Sequence, residues 1–203
     1  MNPRRRFFDR MAGDWDVRAD AERLRRRLIE ELPHFGLAAG ESILDVGCGT
    51  GNLTAELGRS VGATGRVVAL DLSLAMIEKA RGKRPAGPIR WIQCDAALGP
   101  LRGQVFDRVF CYSAWPHFPA PEALAGELRR LLRDGGRLHV WHSIPREAVN
   151  AIHRTAGAEV AEDFLPPAPV LCGLLERSGY RIEESRDDGT GFLITARKGA
   201  RSD

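Results

Sequence analysis

Three carboxylates and a run of glycines are the residues of this chain whose types and spacing suggest binding chemistry. The run Ile43-Leu44-Asp45-Val46-Gly47-Cys48-Gly49-Thr50-Gly51 passes from a strand-like segment into a helix-like one. Glycines at such a turn allow a tight bend and let a ligand approach the backbone closely. The spacing is GxGxG, not the GxGxxG of dinucleotide folds, and Asp45 stands two residues before the first glycine. No Gly-Lys-Ser/Thr follows, which excludes a phosphate-binding P-loop. Asp71 comes 20 residues after Gly51, at the end of the next β-rich run. A carboxylate there can accept from both hydroxyls of a ribose. Asp95 ends the third run, ahead of Ala96 and Ala97. An acid beside small residues can accept from an adenine amino group while the alanines leave room for the ring. Singly, each acid reads as a solvated turn or cap residue. Three at successive strand ends, beside that loop, point to one adenosine-bearing ligand.

Histidines supply the candidate reactive groups. His117 follows the fourth β-rich run by a short loop, and His142 ends the fifth. His153 sits with Val149, Ile152 and Ala156 at helical spacing, so it is expected to point inward. Each alone reads as a core or capping residue, but three at neighbouring strand exits are candidate catalytic residues. If they converge, two roles are open. One imidazole can serve as a general base, since its ordinary pKa of ~6.5 suits proton removal at neutral pH. Alternatively the three can hold a divalent transition metal with one open position. The spacing is not a sequence-local ligand motif, which favours the base, and no metal is assigned. His34 and His139, one in the N-terminal region and one inside a strand, are poorer candidates.

These residues need a scaffold of alternating elements. The β-rich runs are Ser42–Gly47, Arg66–Asp71, Ile89–Asp95, Phe106–Tyr112 and Arg137–His142, roughly 20 residues apart, which leaves room for crossover helices. That rhythm predicts an α/β fold with a mostly parallel sheet and helices on both faces. Tyr180–Arg186 and Gly191–Arg197 are joined by Asp188-Gly189-Thr190-Gly191, a turn short enough only for an antiparallel hairpin. Helical stripes are expected at Ala21, Leu24, Leu28 and Leu32, and at Leu124, Leu128, Leu131 and Leu132 with Gly135 and Gly136 as the stop. A further stripe is Val170, Leu171, Leu174 and Leu175. The whole chain, 203 residues, is expected to be a single domain. Residues 1–40 should form an N-terminal lid and helix, with Gly13 as a hinge before Asp14, Trp15 and Asp16. Residues 143–168 should form an inserted helix and loop over the carboxyl edge of the sheet.

ILDVGCGTG, VVALDLS, IQCDAAL, FDRVFCYSAWPHF and LLRDGGRLHVWH, in that order, resemble the motifs of class I S-adenosylmethionine-dependent methyltransferases. The opening Phe7-Phe8-Asp9 to Trp15-Asp16 is similar to the start of the ubiquinone/menaquinone-biosynthesis-type group, methyltransferase type 11. The resemblance implies a Rossmann-like seven-stranded sheet of order 3-2-1-4-5-7-6 with strand 7 antiparallel, and S-adenosyl-L-methionine as cofactor. It implies that Gly47 and Gly49 contact the methionine part, that Asp45 orients its amino group and that Asp71 holds the ribose. Leu72 and Met76 would pack near the adenine, Asp95 and Ala96 would meet it, and Ser113 would sit beside the methionine moiety. Trp15 of the lid is counted among the cofactor contacts. Trp15, Trp115, Trp141 and Phe118 are candidates for the acceptor side, whereas Trp91 in mid-strand reads as core.

Composition narrows the partners. Thirty basic against 27 acidic residues give a formal net charge of +3, too small to imply a nucleic-acid or membrane partner. The Asn-Pro-Pro-aromatic and Pro-Cys signatures of base-directed enzymes are absent at the exit of the fourth run, and the Arg23–Arg27 run reads as a solvated helix face. No apolar run approaches the ~20 residues that span a bilayer, and the Arg-rich start lacks the apolar core of a secretory signal. Four scattered cysteines form no CxxC pair, so a reducing cytoplasm is expected. The expected acceptor is a small molecule, with a homodimer compatible. The competing reading is a non-catalytic S-adenosylmethionine-binding or metal-binding protein on the same fold.

Overall fold

The computed structural model describes residues 2–99 and 101–199. Seven strands form one sheet of order β3-β2-β1-β4-β5-β7-β6, with β7 antiparallel to its neighbours β5 and β6. The chain packs as two compact units, one up to Ala96 and one from Ala97 on.

The first unit holds α1 (Pro3–Met11), α2 (Trp15–Arg18), α3 (Ala21–Glu31), β1 (Ser42–Val46), α4 (Asn52–Val61), β2 (Arg66–Asp71), α5 (Leu74–Gly82) and β3 (Ile89–Gln93). β1, β2 and β3 run parallel, with Leu44 opposite Val68 and Ala69 opposite Trp91. All five residues of β1 are buried, as expected for a strand covered on both faces. The helix starts are chemically specified. Asn2 caps α1 through Arg4 N–H at 2.9 Å, ahead of Pro3 at the first helical position. Ser73 caps α5 through Met76 N–H at 3.2 Å. β3 ends at Gln93, so Asp95 is not a strand-end residue: it lies exposed in the following loop, and Ala96 beside it is buried.

The second unit holds β4 (Phe106–Tyr112), α6 (Pro121–Leu131), β5 (Leu132–His142), α7 (Arg146–Ala156), α8 (Ala168–Arg177), β6 (Tyr180–Asp188) and β7 (Gly191–Lys198). The expected terminal hairpin is present, with Asp188 paired to Gly191 across its turn. The pair Gly135-Gly136 does not stop a helix as expected. α6 ends at Leu131, β5 begins at once, and its register on β4 jumps from Phe106–Leu132 to Arg108–Arg137. Residues 133–136 stand against Asp107 alone, three more than an even ladder needs, and Gly135 supplies the left-handed φ of +76° inside the irregularity.

Two helical stripes also differ from expectation. Ile152 is 55% exposed; the buried face of α7 is Val149, Asn150 and His153. That face tolerates polar groups because Asn150 is matched to main chain: its amide donates to Leu165 C=O at 3.1 Å and its oxygen accepts from Leu165 N–H at 2.8 Å. On α8, Val170 faces solvent, and Ala168, Leu171, Leu174 and Leu175 form the buried side. Residues 143–168 contain α7 and the loop that leads to α8. Both ends are fastened by one residue of β6: Asp187 Oδ2 accepts from Arg146 Nε at 3.0 Å and from Ala168 N–H at 3.1 Å. Among the described residues no helix is long and apolar enough to cross a membrane.

Candidate active site

In the first unit the glycine loop is built on β1 and β2. Leu70 C=O accepts from both Gly47 N–H and Cys48 N–H at 2.9 Å, and Gly51 N–H donates to Cys48 C=O at 2.9 Å. The turn needs left-handed backbone at Gly47, Gly49 and Gly51, with φ of +70°, +52° and +78°. Asp71, at the end of β2, faces this loop. Its Oδ2 accepts from Gly49 N–H at 2.8 Å and its Oδ1 from Ser73 N–H at 2.8 Å. A backbone donor therefore fixes each oxygen, and a carboxylate oxygen can accept more than one hydrogen bond. Asp45 is 1% exposed, and its Oδ2 accepts from the Thr54 hydroxyl at 2.6 Å. Burial raises its pKa to about 7 against the pull of Thr54, and the neighbouring Asp71 charge adds to the rise.

The N-terminal segment lies against the same loop. Trp15 Nε1 stands 4.0 Å from where a β-carbon on Gly49 would be. Asp16 accepts from the Thr50 hydroxyl at 2.6 Å and the Asn52 amide at 3.2 Å, and pairs with Lys83 at 2.8 Å. Burial works against its charge, but these partners hold its carboxyl below the usual range. Asp9 of α1 accepts from the Ser73 hydroxyl at 2.6 Å. Leu72 is half-buried at the turn into α5, whereas Met76 is fully buried. Asp9, Asp16 and Thr50 lie within the motifs quoted above but had no role of their own there, and Thr54 lies outside them.

The second unit brings two of the three histidines ring to ring. His117, in a 3₁₀ turn after β4, and His153 of α7 have centroids 4.7 Å apart at an interplanar angle of 47°. His117 Nδ1 is 2.9 Å from Asp163 Oδ2, and His153 Nδ1 hydrogen-bonds the Asp163 carbonyl. His142, at the end of β5, is buried, and its Nε2 makes no hydrogen bond. Burial first, then repulsion from His117 and His153, depresses its pKa to about 3. His153 is lowered by burial and by His117, against the pull of its bond to Asp163. Among the described residues no three His, Cys, Asp or Glu side chains are arranged to hold a metal ion. The Tyr112 hydroxyl contacts the Ser143 hydroxyl. Ser113 is exposed, with φ of +51°, and its N–H donates to Trp141 C=O at 2.8 Å. Trp115 and Trp141 are core, not lining: both are almost fully buried, and Trp141 packs on Tyr112 at 4.5 Å between centroids. His139 is inside the sheet, stacked on Phe110 at 4.6 Å.

Comparison with known proteins places this arrangement. Residues 44–140 match the family described as a methyltransferase domain. The chain is 33% identical over 169 residues to a 2-phytyl-1,4-naphtoquinone methyltransferase of Thermosynechococcus vestitus, covering 71% of this chain and 74% of that one. It is 34% identical over 142 residues to a ubiquinone/menaquinone biosynthesis C-methyltransferase of Stutzerimonas stutzeri, covering 66% of this chain but only 55% of that one. A crystal structure of a SAM-dependent methyltransferase from Aquifex aeolicus superposes with a TM-score of 0.71 at 23% identity, over 84% of this chain and 89% of that one. The chain belongs to the class I S-adenosylmethionine-dependent methyltransferases, of the ubiquinone/menaquinone-biosynthesis type.

Proposed function

We propose that this chain transfers a methyl group from S-adenosylmethionine to a small hydroxylated aromatic acceptor, with His117 as the base. The observation that carries the cofactor half is the bond between Gly49 N–H and the Asp71 carboxylate. It presents a fixed acid at a strand end beside an open glycine backbone, and these residues fit an adenosine-bearing ligand. Asp71 would accept from the ribose hydroxyls, and Gly47 and Gly49 would let the methionine part lie on the main chain. Asp45 would take the amino group as a carboxylate, since a cation beside it favours its charged form. Leu72, Met76, Asp95 and Ala96 would bound the adenine, Ser113 the methionine side, and Trp15 would cover the loop.

Bound S-adenosylmethionine supplies a methyl carbon already activated by its positive sulfur. The chain's own work is then to align the acceptor, exclude water and take up a proton; alignment alone is worth ~7–11 kcal/mol and a base a further ~10²–10⁴-fold. His117 suits the base role because the Asp163 carboxylate lies on its Nδ1 and stabilises the imidazolium that proton uptake forms. His142 and His153, both with depressed pKa, would stay neutral at physiological pH beside the base. Proton removal from a ring hydroxyl activates ring carbon and oxygen alike, and so suits the quinone chemistry in the relatives' names. The modest net charge supports a small acceptor over a nucleic acid. Four free cysteines support a cytoplasmic setting, and a homodimer is compatible with the proposal.

Calorimetry with S-adenosylhomocysteine and with NADH tests the cofactor, and methyl transfer to 1,4-dihydroxynaphthalene tests the acceptor class. Asp71→Ala should weaken S-adenosylhomocysteine binding by ~2–3 kcal/mol, the worth of a charge-assisted hydrogen bond. Unchanged affinity in that variant rejects the site.

A further inference from the structure

Asp163 lies in the loop between α7 and α8, and its side chain is 2% exposed. A carboxylate so enclosed is costly unless its acceptors are used. Asp163 gives both of its acceptor groups to imidazoles: the carboxylate to His117 Nδ1 and the main-chain carbonyl to His153 Nδ1. The two rings come from different elements, so one residue sets the orientation of both. The loop that carries it is itself fixed. Asp163 N–H donates to Val160 C=O at 3.0 Å, and Leu165 is clamped to Asn150 of α7. A neutral imidazole that donates from Nδ1 carries its lone pair on Nε2. His117 meets Asp163, His153 of α7 and, through its charge, His142 of β5. Of these, Asp163 is the group with negative charge.

We infer that Asp163 is a positioning residue for methyl transfer: it holds His117 and His153 in the Nδ1–H tautomer, so that the basic nitrogen of His117 is Nε2. The inference rests on the base role proposed above for His117. The proton leaves the acceptor hydroxyl, arrives at Nε2, and the resulting imidazolium is balanced by the Asp163 carboxylate across Nδ1–H.

The test separates the two claims. Nitrogen NMR of the imidazoles, on the protein without acceptor, should show His117 and His153 protonated at Nδ1 in the wild type. An Nε2–H tautomer at His117 overturns the inference with no variant required. In Asp163→Asn, with S-adenosylhomocysteine affinity retained as proof of folding, the His117 signal should move toward the Nε2–H tautomer. With 1,4-dihydroxynaphthalene as acceptor, kcat should fall by ~10²-fold or more, with KM little changed. Asp163→Glu should restore part of kcat together with the Nδ1–H tautomer. An unchanged tautomer in Asp163→Asn overturns the inference. Should Asp163→Asn not fold, the wild-type tautomer and the kcat of Asp163→Glu decide. Absence of transfer by the wild type counts against the base role, while the tautomer still decides what Asp163 does.

Discussion

Trp91 lies over the α-carbon of Gly51: a β-carbon added there would stand 2.7 Å from the Trp91 ring and 3.0 Å from Ala80 Cβ. Gly51 also needs φ of +78°. Gly51→Ala should therefore combine overpacking, typically ~1–3 kcal/mol, with the strain of a left-handed non-glycine residue. A melting temperature lowered by several degrees in thermal denaturation is the expected result. A Trp91→Leu background should recover the packing part and leave the strain.

The segment of residues 2–20 should be releasable from the glycine loop. Asp16→Ala removes the bonds to Thr50 and Asn52 and the pair with Lys83. Hydrogen bonds to a charged group are worth ~1.5–3 kcal/mol, so nicking of this segment by trypsin should accelerate by roughly tenfold. S-adenosylhomocysteine should slow the nicking of wild type. Equal rates in variant and wild type would show that these bonds do not hold the segment.

Asp45 makes stability fall as pH rises. Its folded pKa of about 7 stands above its ordinary 3.8, so between these values the folded state keeps a proton that the unfolded chain has released. Asp45→Asn should flatten urea-melt stability across that window. S-adenosylhomocysteine, whose ammonium would meet Asp45, should bind near pH 6 with proton release, seen as a different binding heat in phosphate and Tris.

His142 acts in the opposite direction. Its pKa of about 3 lies below the ordinary 6.5, so on acidification the unfolded state takes up a proton that the folded state refuses. Stability present above pH 6.5 is lost as pH falls toward 3. Its Nε2 also lacks a hydrogen bond, a deficiency that costs ~1–3 kcal/mol in a buried group. His142→Leu should raise neutral-pH stability by about 1 kcal/mol, with part of the gain lost to imperfect packing, soften the acid limb and impair methyl transfer. A destabilised, fully active variant would contradict both halves.

The glycine turn and the acid that faces it were legible because they are local: a loop of fixed spacing and an acid one strand later need no knowledge of tertiary contacts. The hairpin was legible for the same reason, since Asp188 to Gly191 leaves the chain only one way to turn. Asp163 was not, because its partner His117 lies 46 residues away and a loop aspartate is the commonest of turn residues. Asp16 was hidden likewise, 34 residues from Thr50. The face of α7 was misjudged because apolar spacing was read as burial. There the buried partners are the main chain of Leu165 and the Asp163 carbonyl, which recruit Asn150 and His153 and leave Ile152 outside.

Asp187 joins the beginning of α7 to the beginning of α8 through a single carboxylate oxygen. Helix α7 and the loop after it are closed at one anchor on β6, so lengthening that loop adds little closure entropy, ~0.6 kcal/mol for each doubling. The segment that carries His153 and Asp163 can therefore be exchanged for another of different length without disturbing β5, β6 or the strands beyond them. On the roles proposed for His153 and Asp163, acceptor preference would then diverge between related chains faster than cofactor use, with residues 146–168 as the unit to graft.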